Sequence, residues 1–149
     1  MLAQPGVPPG RRVGGGVRAL PRVIHALPRA IDTDLVREQG LPSIECETLM
    51  HLSEAPDRRL RMNELAAACE MSLSGMIRVV QRLERQGYVQ RVRCAQDARG
   101  WNAVLTDAGR ARLRQAWPTN LAAVRRHFLD HLAGLDLKQL AEALGKVGT

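Results

Sequence analysis

One change of apolar rhythm, just after Gly87, constrains this chain more than any other feature. Before it, and again after Thr106, apolar residues recur at three- and four-residue spacing, as on one face of a helix. Between them, residues 91–106 read RVRCAQDARGWNAVLT. The runs RVRC and WNAVLT alternate apolar and polar side chains, as half-buried strands do. The joining segment AQDARG holds two turn formers, Asp97 and Gly100, and one residue that a turn does not require, Arg99. The expected class is therefore mainly α with one small β-hairpin. Only four of the 149 residues are Phe, Trp or Tyr, so the core must rest on Leu, Val, Ile, Met and Ala.

Caps and stripes predict the helices. Leu20, Val23, Ile24, Leu27, Ile31 and Leu35 mark a first one, stopped by Gly40 and kinked at Pro28. A second, IECETLMHLSE, turns Ile44, Leu49 and Leu52 inward, and APDRR reads as a loop. Then come two short helices close together. MNELAAAC has Glu64 near its start, where an acid favours the helix dipole. SLSGMIRVVQRLERQG is capped by Ser72, ended by Gly87, and striped by Leu73, Met76, Val80 and Leu83. A short helix, a tight turn and a second helix make a helix-turn-helix candidate. After the hairpin, Thr106 caps a helix whose stripe, Leu113, Trp117, Leu121, Val124, Phe128 and Leu132, keeps its phase through Pro118. Asp136 caps a last one.

Length suits a single domain. Residues 1–18, rich in Gly, Pro and Arg, read as a flexible arm. No apolar run reaches the roughly 18 residues of a membrane span, and the start has no secretory h-region, so the expectation is a cytoplasmic protein without a membrane partner. Cys46, Cys69 and Cys94 are odd in number and far apart, which fits reduced thiols. The formal charge is +7, of which residues 1–30 supply +5. The more telling excess lies in residues 57–100, where nine Arg face five acids around the hairpin.

Removing the buried stripe from the Ser72–Gln86 helix leaves Ser74, Gly75, Ile77, Arg78, Gln81, Arg82 and Arg85 outward. Ser74, Arg78, Gln81 and Arg82 fall on adjacent ridges, and Gly75 would let a backbone approach. Such side chains donate to phosphates and read base edges in a major groove, though Arg is also common on plain solvated helices. The hairpin follows at once and projects Arg99 where a neighbouring minor groove would lie. A guanidinium suits that narrow, negative groove. Asp97 would fix the turn and Gly100 would supply backbone freedom.

Residues 60–109 resemble the winged helix-turn-helix of the MarR family of bacterial transcription regulators. The resemblance rests on ELA before the turn, S-x-S-G-x-x-R-x-V-x-R-L in the second helix, and GYVQR entering the wing. It rests also on D-x-R-G at the wing tip and LT-x-x-G opening the next helix. It implies a domain over residues 19–147, with a winged core at about 42–106 flanked by dimerisation helices at about 20–39 and 107–147. A homodimer on double-stranded DNA is implied, its two recognition helices entering successive major grooves of a pseudopalindromic operator. Carried over by position, Ser72, Ser74, Gly75, Arg78 and Arg82 would take recognition-helix roles, with Gln81 beside them, and Asp97 and Arg99 those of the wing. Ile77 stands where Thr is usual, Gln81 where Asp is frequent, Arg61 at a usual Ser or Thr cap, and Cys46 in place of an aromatic.

The resemblance also implies release from DNA by a small molecule or oxidant. His25, Arg29, His51 and Trp117 are candidate lining residues for an effector pocket, and the effector itself stays open. Cys94 beside Arg93 is the candidate redox thiol. His127 and His131 have a spacing able to chelate zinc, but without further ligands no metal is assigned, and no cofactor is expected. No phosphate-binding Gly loop, metal-hydrolase motif or nucleophile elbow points to an enzyme. The alternative is a winged helix whose Arg face binds an acidic protein.

Overall fold

The computed structural model describes residues 11–97 and 99–149, the first three of them as backbone alone. Helix α1 spans Arg11–Pro21 and runs through a π-helical turn, Arg22–Ala26, into α2, Leu27–Gln39. Pro28 accounts for the wide turn. Its ring crowds the carbonyl four residues back and it has no N–H to donate, so the preceding residue, Leu27, bonds instead to Arg22 O. The expected arm at 1–18 thus needs correcting for residues 11–18, which are helical; residues 1–10 lie outside the described residues. Glycines at 14–16 disfavour a helix, but a chain growing from an already formed helix adds hydrogen bonds without a nucleation cost.

Helix α3 is Ser43–Glu54, followed by a short 3-10 turn and strand β1, Arg59–Arg61. β1 begins in the segment expected to be a loop, and its three residues are too few to show an alternation. Helix α4 is Met62–Ala68 and α5 is Leu73–Arg85; strands β2, Val89–Arg93, and β3, Trp101–Leu105, form the hairpin. The sheet is antiparallel in the order β1-β3-β2, with Leu60 opposite Ala103 and Arg93 opposite Trp101. Gly87, at φ 79°, makes the left-handed exit from α5 that a side chain would resist.

Helix α6, Asp107–His127, is continuous through Pro118. Thr106 caps it by accepting from Gly109 N, and its hydroxyl donates to Gly87 O at 2.7 Å. A Cβ on Gly109 would sit 2.1 Å from Tyr88 O, so only glycine lets the helix start press against the hairpin entry. That contact is the physical content of LT-x-x-G. Beyond His127 the backbone breaks at Phe128 into a 3-10 turn, Leu129–Leu132, before α7, Leu137–Leu144. The helical stripe therefore does not extend to Leu132. His127 and His131 do not share one helical face.

The core is aliphatic. Leu35, Leu41, Leu49, Leu52, Leu65, Met76, Val80, Leu83 and Val89 are fully enclosed, with Ala103, Leu113 and Ala116 closing it from β3 and α6. Asp34 on α2 is buried yet satisfied: Arg37, Arg126 and His127 all donate to it, at 2.9, 3.1 and 2.8 Å. Arg112 of α6 also grips Gln39 at the end of α2. Among the described residues, no helix is long and apolar enough to cross a membrane.

Candidate nucleic-acid interface

Helix α5 buries Met76, Val79, Val80 and Leu83 and turns Ser74, Arg78, Gln81, Arg82 and Arg85 outward. Leu73, expected to begin the buried stripe, is instead 48% exposed, and Val79 takes a place in the interior. Ser72 is the N-cap, accepting from Gly75 N at 3.1 Å and lying 3.3 Å from the Ser74 hydroxyl. Gly75 packs closely on this cap, where a Cβ would meet Met71 Cε at 3.0 Å and Ser72 Oγ at 3.1 Å. The turn ahead of α5 keeps Glu70 in a left-handed conformation, φ 52°.

The outward arginines are not equivalent. Arg78 is exposed. Arg82 donates through Nε to Glu45 Oε1 at 3.0 Å, and the Glu45 side chain is only 4% exposed. One edge of Arg82 is therefore committed to α3, while the side chain as a whole stays 44% exposed. Glu84, on the same helix, accepts from the Arg91 backbone at 3.2 Å and from its guanidinium at 3.1 Å. The Arg91 hydrogen bond holds the Glu84 carboxyl below its usual range. This bond ties β2 of the hairpin to α5.

At the wing tip, Asp97 Oδ1 accepts from Arg99 N at 3.0 Å and Asp97 O accepts from Gly100 N at 3.0 Å, the turn-fixing role the sequence predicts. Gly100 is not among the residues with a left-handed backbone, so the freedom expected of it is not used. Arg99 is exposed on this tip. Arg91 and Arg93 stack over Trp101, at 5.7 and 4.8 Å from the ring centroid. A cleft of about 410 Å³ joins the two regions, lined by Arg61, Leu73, Ile77, Asp97, Arg99 and Trp101 among others. Arg99 and the beginning of α5 thus open onto one concavity.

The exposure of Leu73, the place of Arg61 in this cleft and the Arg91–Trp101–Arg93 stack are features the sequence reading missed. The signal for the stack was present, since period-two spacing in RVR puts both arginines on one strand face. Cys94 sits at the foot of the wing, buried, with Arg61 Nη2 3.3 Å from its sulfur. The Arg61 hydrogen bond lowers the Cys94 pKa from the ordinary thiol value. Of the candidate effector-lining residues, Trp117 borders a cleft of about 310 Å³ between α2, α3 and α6. His25 and Arg29 are exposed and do not line it, and His51 instead faces Glu47 at 3.7 Å.

The MarR-family model matches residues 39–100, from the end of α2 to the wing tip. Sco3205, a MarR family transcriptional regulator from Streptomyces coelicolor solved in complex with DNA, is similar over nearly the whole molecule. It has 34% identity and a TM-score of 0.83, covering 93% of this chain and 87% of Sco3205. The chain belongs to the MarR family. AbsC, another MarR family regulator of S. coelicolor, is 35% identical at a TM-score of 0.81, covering 93% of both chains. The HTH-type transcriptional repressor YetL of Bacillus subtilis is 30% identical over 107 residues. That stretch is 70% of this chain, and the chain spans 64% of the length of YetL. As a MarR-family fold, α4 and α5 form the helix-turn-helix and β1, β2 and β3 the wing.

Proposed function

We propose that this protein is a sequence-specific DNA-binding transcriptional regulator acting as a homodimer. One observation carries the reading. Arg78, Gln81 and Arg82 project from α5 while Arg99 projects from a wing tied to that helix by Glu84 and Arg91, on a fold shared with a protein solved on DNA. In this reading α5 enters a major groove, where Arg78 and Gln81 meet base edges, and Arg99 reaches an adjacent minor groove. Ser72 and Ser74 lie by the backbone amides of the α5 N-terminus, a suitable place for a phosphate.

Dimerisation is supported by apolar side chains at both ends of the chain. Val17, Leu20, Val23 and Ile24 on the first helical segment, and Leu135, Leu137, Leu144 and Val147 around α7, are all exposed in the isolated chain. A second copy covering them would build an isologous interface between N- and C-terminal helices. The cleft beside Trp117 is the natural seat for a small-molecule effector, and the likeness to the repressor YetL favours repression.

The test is selection of bound sequences from a random duplex pool, with the mass of the protein in solution measured alongside. The reading predicts a dimer and an enriched pseudopalindrome with half-sites about 34–36 Å apart. A monomer, or a pool that never converges, would contradict it. Convergence failure with tight capture of an acidic protein would favour the adaptor reading.

A further inference from the structure

Glu47 and His51 lie one turn apart on α3, and Cys69 ends α4 across from them. A carboxylate oxygen of Glu47, an imidazole nitrogen of His51 and the Cys69 sulfur all lie within 4.8 Å of one another. Cys69 is buried and the other two are half-buried, so the group forms a corner open on one side. We propose that Glu47, His51 and Cys69 form a site for a borderline divalent cation, Zn²⁺ the best match, that ties α3 to the turn ahead of α5.

The chemistry of the donors selects the ion. Thiolate, imidazole and carboxylate are the ligand set of Zn²⁺, whereas Mg²⁺ and Ca²⁺ take shells of oxygen. Zinc bonds of about 2.0–2.3 Å in a tetrahedron put neighbouring donors roughly 3.3–3.8 Å apart. The existing triangle therefore needs a contraction of about 1 Å, within reach of side-chain rotation by the partly exposed Glu47 and His51 around a fixed Cys69. Glu47 and His51 already face each other at 3.7 Å. Burial raises the pKa of the Cys69 thiol and of the Glu47 carboxyl, and a bound cation would favour the deprotonated form of both. Thr48 Oγ1, which donates to Ile44 O at 2.7 Å, lies 3.9 Å from the sulfur, and the Glu70 carboxylate adds to the negative field felt at Glu47. The three donors leave a fourth position for water.

The location gives the site a consequence, which rests on the DNA-binding reading above. The amides of Cys69, Glu70 and Met71 bond back to Leu65, Ala67 and Ala66, forming the turn that sets the start of α5. Thr48 also approaches Met76 of α5, at 4.0 Å from its sulfur. A cation held by α3 and Cys69 would clamp that turn in the conformation that presents α5, and DNA affinity would rise.

The experiment uses tag-free, full-length protein stripped with a chelator and titrated with Co²⁺ as the spectroscopic stand-in for Zn²⁺. Expected are one Co²⁺ per chain, thiolate-to-metal absorption and tetrahedral ligand-field bands, all displaced by Zn²⁺. Cys69→Ser should abolish the thiolate band, and His51→Ala and Glu47→Gln should each weaken binding at least tenfold. Cys94→Ser and Cys46→Ser, singly, should leave the band in place, which keeps the assignment testable if Cys69→Ser fails to fold. Absence of saturable binding, a thiolate band lost in Cys94→Ser or Cys46→Ser, or dependence on His127 instead of His51 would overturn the site. DNA affinity measured with and without Zn²⁺ should rise several-fold in the wild type and stay unchanged in His51→Ala. Spectroscopic binding with no such change would overturn the coupling alone. Metal binding by a protein that takes no DNA in either state would count against the regulator reading and not against the site.

Discussion

Arg82 on the recognition helix donates its Nε–H to the buried carboxylate of Glu45 on α3, at 3.0 Å. An arginine on the face proposed to meet DNA is thus also the partner of an interior charge. Its loss should be felt twice, in folding and in binding. Arg82→Ala is expected to cost about 1–3 kcal/mol, because Glu45 is left as a buried acceptor without its donor. The exposed half of Arg82 puts the value at the low end, through solvent screening. Arg78→Ala, on the open part of the same face, should stay within about 0.5 kcal/mol. Urea unfolding of both, with Glu45→Gln added to Arg82→Ala, checks this: the second change should recover part of the loss.

Gly109 makes a sharper steric prediction. With Tyr88 O 2.1 Å from where its Cβ would stand, Gly109→Ala must push α6 away from the hairpin entry. The expected loss is about 3 kcal/mol, the upper end of core overpacking. Gly15→Ala, with open space around the same position on α1, should instead be neutral or stabilise by up to about 1 kcal/mol. Thermal unfolding of the pair separates steric crowding from helix propensity.

Acid should loosen the α2–α6 pairing. The hydrogen bond from His127, with Arg126 and Arg37 nearby, lowers the Asp34 pKa from its ordinary value of 3.8. A carboxyl depressed in the folded state contributes stability that is full above its unfolded pKa. That contribution is lost as pH falls through the folded value. Unfolding midpoints measured from pH 6 downward should fall for the wild type below about pH 4, and Asp34→Asn should be less stable at pH 6 with a flatter profile. Identical profiles would mean that Asp34 gains nothing from its three partners.

The three thiols should differ in reactivity. Arg61 favours the Cys94 thiolate, whereas burial pushes Cys46 up to about 11 and raises Cys69 as well. Iodoacetamide at pH 8 should therefore modify Cys94 first, and Arg61→Met should slow that reaction with little effect on the others. Mass mapping of the alkylated sites reads the order directly. If Cys94 is modified, peroxide-sensitive DNA binding becomes the next expectation.

The fold was legible where apolar rhythm and caps are local. Ser72, Thr106 and Asp136 each cap a helix as the sequence implies, and the alternation in residues 91–106 forms the hairpin. It was less legible where neighbours distant in sequence decide. β1 exists because β3 offers an edge to Leu60, and residues 11–18 are helical because they extend an existing helix. The break at Phe128 leaves His127 bonded to Asp34, which a search for i, i+4 histidines does not reveal. In the same way, the outward face of α5 could be read from spacing, but the tie of Arg82 to Glu45 could not, since the partners lie 37 residues apart.

The most direct measurement of the central claim is fluorescence anisotropy of the protein on duplexes from its own upstream region and on scrambled duplexes, over a salt series. Arg78→Ala and Arg99→Ala are measured beside the wild type. The account predicts tight, sequence-selective binding with a steep salt dependence, weakened by both substitutions, with discrimination relaxed by about 1–3 kcal/mol where Arg78 reads a base. Weak binding, equal on both DNAs and indifferent to either substitution, would contradict it.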